Sequence, residues 1–178
     1  MRIAISGAHR VGKSTLLEEL SAALPKYATV EEPYHVMAED GYEFADPPSL
    51  EDFEAQLEHA LEMLSESEDD VLFDRCPADF VAYLSEHEDA EAFDAEAWLP
   101  RVREAMEQLD LIVFVPIEAR HLERASSNDD AALRRSVDAR LRELLVDGAL
   151  GLDLDVIEVA GSVADRVRMV LDRVRGAH

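Results

Sequence analysis

The sequence predicts an α/β protein: a three-layer α/β/α sandwich on a five-stranded parallel sheet. Two observations carry that prediction. Short apolar runs alternate with longer segments of helical periodicity along the whole chain, the pattern of parallel strands covered by helices on both faces. The first apolar run also leads directly into a glycine loop and then a helix. That order aims backbone amides and a helix N-terminus at an anion.

Each element follows from local chemistry. Arg2-Ile3-Ala4-Ile5-Ser6 reads as the first strand, and a helix runs from Lys13 to Leu24, stopped by Pro25. Ala28 to Glu32 is a second strand closed by Pro33. From Pro33 to Pro48, Gly41, Pro47 and Pro48 mark a loop, and loops of this length in compact domains usually carry function. Ser49 with Asp52 starts a helix whose apolar face is Phe53, Leu57, Leu61 and Leu64. After the acidic run 66–70, Val71-Leu72-Phe73 is a short buried strand ending at Asp74-Arg75-Cys76-Pro77. Phe80, Val81 and Leu84 belong to a helix, residues 87–95 to a turn, and Ala95 to Leu109 to another helix whose start Pro100 blurs. Leu111 to Val115, the most hydrophobic strand, suits a central parallel position. Leu133, Val137, Leu141 and Leu144 form a helical stripe that Gly148 ends. Arg134 and Arg135 share that helix with Asp138, and at least one of them is expected in a surface ion pair. Val156 to Val159 is the last strand, Ala160-Gly161-Ser162 a turn, and Val163 to Val174 the closing helix.

A length of 178 residues fits a single domain, 1–178, with one core. Hydrophobic residues at 48% and charged residues at 32% are globular values that exclude disorder. No apolar run reaches membrane-spanning length, no signal peptide precedes the first strand, and Cys76 is the only cysteine, so a cytoplasmic protein without a disulfide or cysteine metal cluster is expected. The histidines form no metal-ligand pattern. The net charge is −23, and Lys13 and Lys26 are the only lysines. A field this negative repels nucleic acid and anionic membranes, so cations beside any phosphate site matter more than usual.

Gly7-Ala8-His9-Arg10-Val11-Gly12-Lys13-Ser14-Thr15 satisfies G-x-x-x-x-G-K-[ST] at every position, between a strand and a helix as that motif requires. The fold expected is therefore that of a P-loop NTPase, with ATP and Mg²⁺ as cofactors. Gly7 and Gly12 allow close backbone approach, Lys13 reaches the β- and γ-phosphates, and the Ser14 hydroxyl ligates Mg²⁺. His9, Arg10, Val11 and Thr15 complete the loop. Ligands of such sheets bind beyond the carboxyl ends of the strands. That edge gathers the loop, Glu31-Glu32, Asp74-Arg75 and the segment after Pro116. Phosphoryl transfer needs Mg²⁺, positive charge on the moving group and a carboxylate for the acceptor's proton. Lys13, Glu32, Asp74, Arg75, Arg120 and Arg124 are the candidates, with Asp74 also a second metal ligand. The polar segment 118–130 reads as a lid that brings in Arg120 or Arg124.

On these residues the chain resembles P-loop kinases of the deoxynucleoside and thymidylate kinase-like group. Val30-Glu31-Glu32-Pro33 looks like their glutamate-proline strand end. Phe73-Asp74-Arg75 looks like their Asp-Arg or Glu-Arg-Ser signature, and Asp110 to Val115 like the strand before their lid. Phe73 to Phe80 with Tyr83-Leu84 resembles more closely the small AAA-type ATP-binding proteins related to nicotinamide riboside kinase. The resemblance implies a nucleoside/nucleotide kinase-like fold, a general base at Glu32, the signature arginine at Arg75 and a lid arginine at Arg120 or Arg124. It also implies an adenine-contacting turn at Ala160-Gly161-Ser162 and a substrate-reading glutamine at Gln56. Cys76 replaces the signature serine. The reading is a kinase that moves the γ-phosphoryl of ATP to a hydroxyl of a small nucleoside-like substrate. An ATPase or nucleotide-dependent switch and a polynucleotide 5′-hydroxyl kinase are the alternatives, and a homodimer stays open.

Overall fold

The computed structural model describes residues 1–119 and 128–176. Five strands form one sheet: β1 (Arg2–Ser6), β2 (Ala28–Val30), β3 (Val71–Asp74), β4 (Leu111–Phe114) and β5 (Val156–Glu158). Their order is β2-β3-β1-β4-β5, and every pairing is parallel. The helices are α1 (Lys13–Ala23), α2 (Pro33–Glu39), α3 (Leu50–Glu66), α4 (Pro77–Ser85), α5 (Ala95–Met106), α6 (Asn128–Leu141) and α7 (Val163–Gly176). The predicted fold class is the one observed.

The layers explain the sequence pattern. Strands β1, β3 and β4 lie inside the sheet, and Ile3, Ala4, Ile5, Leu72, Leu111 and Val113 have no exposed surface. Strands buried on both faces read as continuous apolar runs. The outer strands β2 and β5 are shorter and partly exposed. Packed against α3, α5 and α6, the helix α4 is buried at every residue from Pro77 to Leu84, including Asp79 at 0% exposure. An apolar helix sealed all round accepts a carboxylate only where hydrogen bonds replace its water. Register does the rest: Ile5 lies opposite Asp74 and Ser6 opposite Phe114. The ends of β1, β3 and β4 therefore form one ledge.

Three local expectations change. The stretch after Pro33 is not all loop, because Pro33 at the first helical position opens the two-turn α2. Pro100 lies inside α5 rather than blurring its start. Of the predicted stripe Val137, Leu141 and Leu144 are buried, but at its start Leu133 is exposed and Arg134 is fully buried instead; Arg135 is exposed. After Leu141 the helix widens into a π turn, Arg142–Val146.

The loop beyond α2 is tied down by one buried carboxylate. Asp52 accepts the amides of Ser49 at 2.8 Å and Ala45 at 3.0 Å and the Tyr42 hydroxyl at 3.1 Å, while Ser49 Oγ accepts the Asp52 amide at 3.2 Å. This is the capping box that Ser49 and Asp52 announce in sequence. Ser49→Ala is expected to cost about 1 kcal/mol, a fall in melting temperature of about 2–4 °C for a chain of this size. An unchanged melting curve would show that the box contributes no stability.

Candidate active site

The phosphate loop leaves β1 at Ser6 and ends on the first turn of α1. Gly7 has φ +152°, and a Cβ there would sit 2.5 Å from the Val115 carbonyl oxygen. Only glycine lets the loop pass so close to the end of β4. Gly12 has φ +91° and opens α1, whose first turn carries no acidic residue to compete for an anion. Lys13 is buried and donates from Nζ to the Ala8 carbonyl at 2.9 Å. Burial, with Arg75 adding repulsion, lowers its pKa to about 8. A cation held this dry interacts strongly with an arriving phosphate.

On the β3 side, Ser14 Oγ donates to Asp74 Oδ2 at 3.4 Å. The second Asp74 oxygen, Oδ1, is buried without a hydrogen-bond partner among the described residues. Burial raises the Asp74 pKa against the pull of Lys13. A hydroxyl and a carboxylate with an oxygen to spare are hard donors that fit Mg²⁺, which takes one or two protein ligands and completes its shell with phosphate and water. No group of three or more His, Cys, Asp or Glu placed to hold a metal ion occurs among the described residues. Ser14, Asp74, Glu31, Glu32 and His35 line a cleft of about 570 Å³.

Arg75 organises the other wall. Its backbone is left-handed, φ +81°, a conformation that costs a non-glycine residue on the order of 1–3 kcal/mol. That twist turns the side chain back across the strand ends. Nε donates to Glu32 Oε1 at 2.5 Å; Nη1 donates to the Gly7 carbonyl at 3.1 Å and to Asp79 Oδ1 at 3.2 Å. Asp79 in turn accepts the Gly7 amide at 3.1 Å and the Cys76 amide at 3.0 Å. For Glu32, burial alone would raise the carboxyl pKa, but Arg75 and Lys13 outweigh it and hold it below the usual range. Glu32 is thus ionised and aimed. Burial and Asp79 push the Cys76 thiol up, so it is no nucleophile.

Beyond Arg75 lies a second cavity of about 470 Å³, lined by Glu32, Phe53, Gln56, Arg75, Phe80 and Tyr83 among others. The Phe53 and Tyr83 rings stack with centroids 5.1 Å apart. Gln56 is buried and held by its amide on the Asp52 carbonyl at 3.2 Å. His9, from the phosphate loop, also borders this cavity. Tyr83 Oη accepts the His9 amide at 2.9 Å and lies 3.0 Å from Nδ1, while Nε2 meets Asp130 Oδ1 at 2.5 Å. Burial lowers the imidazole pKa despite Asp130. A neutral ring then accepts a hydrogen bond from the Tyr83 hydroxyl at Nδ1 and donates its Nε2–H to Asp130. Arg10 pairs with the other Asp130 oxygen at 3.3 Å.

The structure brings Gly7, His9, Arg10, Val11, Gly12, Lys13, Ser14, Thr15, Glu32, Asp74, Arg75 and Gln56 to one edge. Gly161 and Ser162 reach it from β5: the Gly161 amide donates to Glu118 Oε1 at 3.2 Å, and Ser162 caps α7 with Asp165. Arg120 and Arg124 lie outside the described residues, as does most of 118–130. Sequence reasoning missed Asp79, Asp130, Glu118 and Arg166. Asp79 had a signal, since a carboxylate inside an apolar helix needs a partner. Arg166 had none, because its partner Val11 is 155 residues away.

Comparison with known proteins agrees with this picture. A family model described as an AAA domain matches residues 2–166. The resemblance read from the motifs is thereby borne out. The chain superposes on deoxyadenosine kinase from M. mycoides with a TM-score of 0.71 at 15% identity, covering all of both chains. Thymidylate kinase from Candida albicans matches with a TM-score of 0.65 at 14% identity, over 98% of this chain and 91% of that one. NadR protein in complex with NAD and AMP-PNP matches at 0.66 and 20% identity, over 98% of this chain but 48% of that one. At such identities the likeness is one of fold. No curated protein matches the sequence. Among the described residues, no helix is long and apolar enough to cross a membrane.

The state of Lys13 yields a test. Its pKa falls from 10.5 to about 8, so folding opposes the charged form, and the unfolded chain binds more protons between those two values. Stability lost to that buried charge is fully felt below pH 8 and recovered as pH rises toward 10.5. Lys13→Met is expected to melt higher than wild type at pH 7 while losing ATP binding, and the difference should shrink above pH 8. A mutant that melts lower at pH 7 contradicts the buried-charge reading.

Proposed function

This chain belongs to the AAA domain family, and from that membership and the site geometry we propose that it is an ATP-dependent kinase for a small nucleoside-like substrate. One observation carries the proposal: Glu32 stands on the wall shared by two clefts, lining both the one with Ser14 and Asp74 and the one with Gln56, Phe53 and Tyr83. A carboxylate there lies between the γ-phosphate of ATP and an acceptor hydroxyl. An ATPase needs no second, aromatic cavity. The acceptor cavity is also walled by Asp46 and Asp130, and with the net charge of −23 it favours a small molecule over a polynucleotide. The similar solved structures include proteins named as kinases and one holding AMP-PNP. The whole chain acts as one domain in this reading.

In the reaction proposed, the loop amides and Lys13 hold the triphosphate. Ser14 and Asp74 would hold Mg²⁺, which would supply charge neutralisation on the phosphate oxygens. The substrate ring packs against Phe53 and Tyr83 with Gln56 at its edge, which orients its hydroxyl. That oxygen forms the new bond to the γ-phosphorus, the bond to the β–γ bridging oxygen breaks, ADP leaves and the hydroxyl proton passes to Glu32. Arg75 keeps Glu32 ionised and fixed. The lowered pKa suits a loose transition state, in which the base chiefly orients the nucleophile and takes the proton late.

Glu32→Gln keeps the side chain's shape and removes the basic oxygen. It should lower transfer to the acceptor by about 10²–10⁴-fold while ATP affinity stays near wild type. Asp74→Asn should instead raise the Mg²⁺ concentration needed for half-maximal rate, and Glu31→Gln should change little. Product formation from nucleosides and nicotinamide riboside, with ATP binding in parallel, checks all three. Normal transfer by Glu32→Gln removes it as the base; hydrolysis of ATP without any phosphorylated acceptor makes the protein an ATPase.

A further inference from the structure

Three elements around the phosphate loop meet on one side chain that the transfer chemistry does not use. Arg166 lies on α7 and is 2% exposed. Its Nη1 donates to the Val11 carbonyl at 2.9 Å and its Nη2 to Glu118 Oε1 at 2.5 Å. The same glutamate oxygen accepts the Gly161 amide at 3.2 Å. Gly12 is shaped to the arginine, since a Cβ there would sit 3.3 Å from Nη1. One arginine and one glutamate thus join the phosphate loop, the chain just after β4 and the turn between β5 and α7.

Stability alone does not account for such a pair. Burying the guanidinium fully and the carboxylate in part offsets much of their attraction, and a buried ion pair is weak support for stability. Here Arg166 Nε is also buried without a hydrogen-bond partner among the described residues, which adds to the cost. A planar fork supplies what leucine or methionine cannot: two N–H directions fixed relative to one another, which set the spacing of the groups they hold.

We propose that Arg166 and Glu118 are positioning residues for ATP, holding the β5–α7 turn at a fixed distance from the phosphate loop. Base and triphosphate then meet two subsites whose separation is preset, and little ordering remains to be done on binding. This rests on the reading of the loop and of Gly161-Ser162 as the ATP site.

The test compares Mg²⁺-ATP with Mg²⁺-tripolyphosphate, which offers the loop three linked phosphoryl groups and no base. Titration calorimetry is run on wild type, Glu118→Ala, Glu118→Gln and Arg166→Lys, with melting curves to confirm that each is folded. Glu118→Ala should weaken ATP about tenfold and tripolyphosphate by less than about twofold. Glu118→Gln keeps an acceptor for the Gly161 amide and should recover most of the loss. Arg166→Lys cannot bridge both partners and should lose ATP affinity as Glu118→Ala does. Equal losses for both ligands, or none for ATP, overturn the positioning role. A wild type that binds both ligands equally overturns it too, by removing the base from the turn. A wild type that binds neither overturns the ATP-site reading beneath it.

Discussion

The geometry of this edge depends on one guanidinium. Arg75 stands at the end of β3 and bonds to Glu32 beyond β2, to the Gly7 carbonyl beyond β1 and to Asp79 on α4. Hydrogen bonds between parallel strands fix their register but not the loops that leave them. A fork with donors in one plane does that for three loops at once. The left-handed backbone at Arg75 is the strain that lets it reach them. Asp79 completes the arrangement by receiving both Arg75 and the Gly7 amide, so α4 and the phosphate loop are referred to the same carboxylate.

A second constraint is charge. The net charge is strongly negative, yet Arg75, Lys13 and Arg166 converge buried on the phosphate loop. Each cation there is held by carbonyls or carboxylates already in place: Ala8 for Lys13, Val11 and Glu118 for Arg166, Glu32 and Asp79 for Arg75. Lys13 is the exception in kind, since its partner is a neutral carbonyl. Burial and the repulsion of Arg75 lower its pKa even though Asp79, Asp74 and Glu32 pull the other way.

Much of this was legible in the sequence, and the division has a physical cause. Local rules found the phosphate loop, the capping box of Ser49 and Asp52, and the buried inner strand from Leu111, which lies beside the central β1, because each signal lies within a few residues. The strand-end rule placed Glu32, Asp74 and Arg75 together before any contact was known. What failed was orientation on a helix and pairing across the chain. The leucine stripe of α6 put Leu133 inward, whereas Arg134 is the buried residue. Arg166 reads in sequence as one more arginine on an amphipathic C-terminal helix. Its role arises only when α7 packs against α1 and brings it under Val11. Asp130 likewise gains meaning from His9, 121 residues away.

The acceptor cavity bears on how a kinase of the proposed type would avoid wasting ATP on water. Glu32 accepts a proton equally well from water or from an alcohol, and its pKa, held low by Arg75, gives it little power to select between them. Selection must therefore come from occupancy. In the proposed reaction, a substrate ring against Phe53 and Tyr83 would displace water from beside Glu32 and leave one hydroxyl in line. Polar links hold the walls of the cavity. Gln56 is tethered to the Asp52 carbonyl, Asp52 itself holds the loop that carries Asp46, Pro47 and Pro48, and Tyr83 is bonded to the phosphate loop through His9. The cavity is thus tied to the phosphate loop on one side and to the α3 cap on the other. In the proposed kinase, a substrate that fills it would be positioned by the same polar links that position the triphosphate, and discrimination against water would follow from packing rather than from the strength of the base.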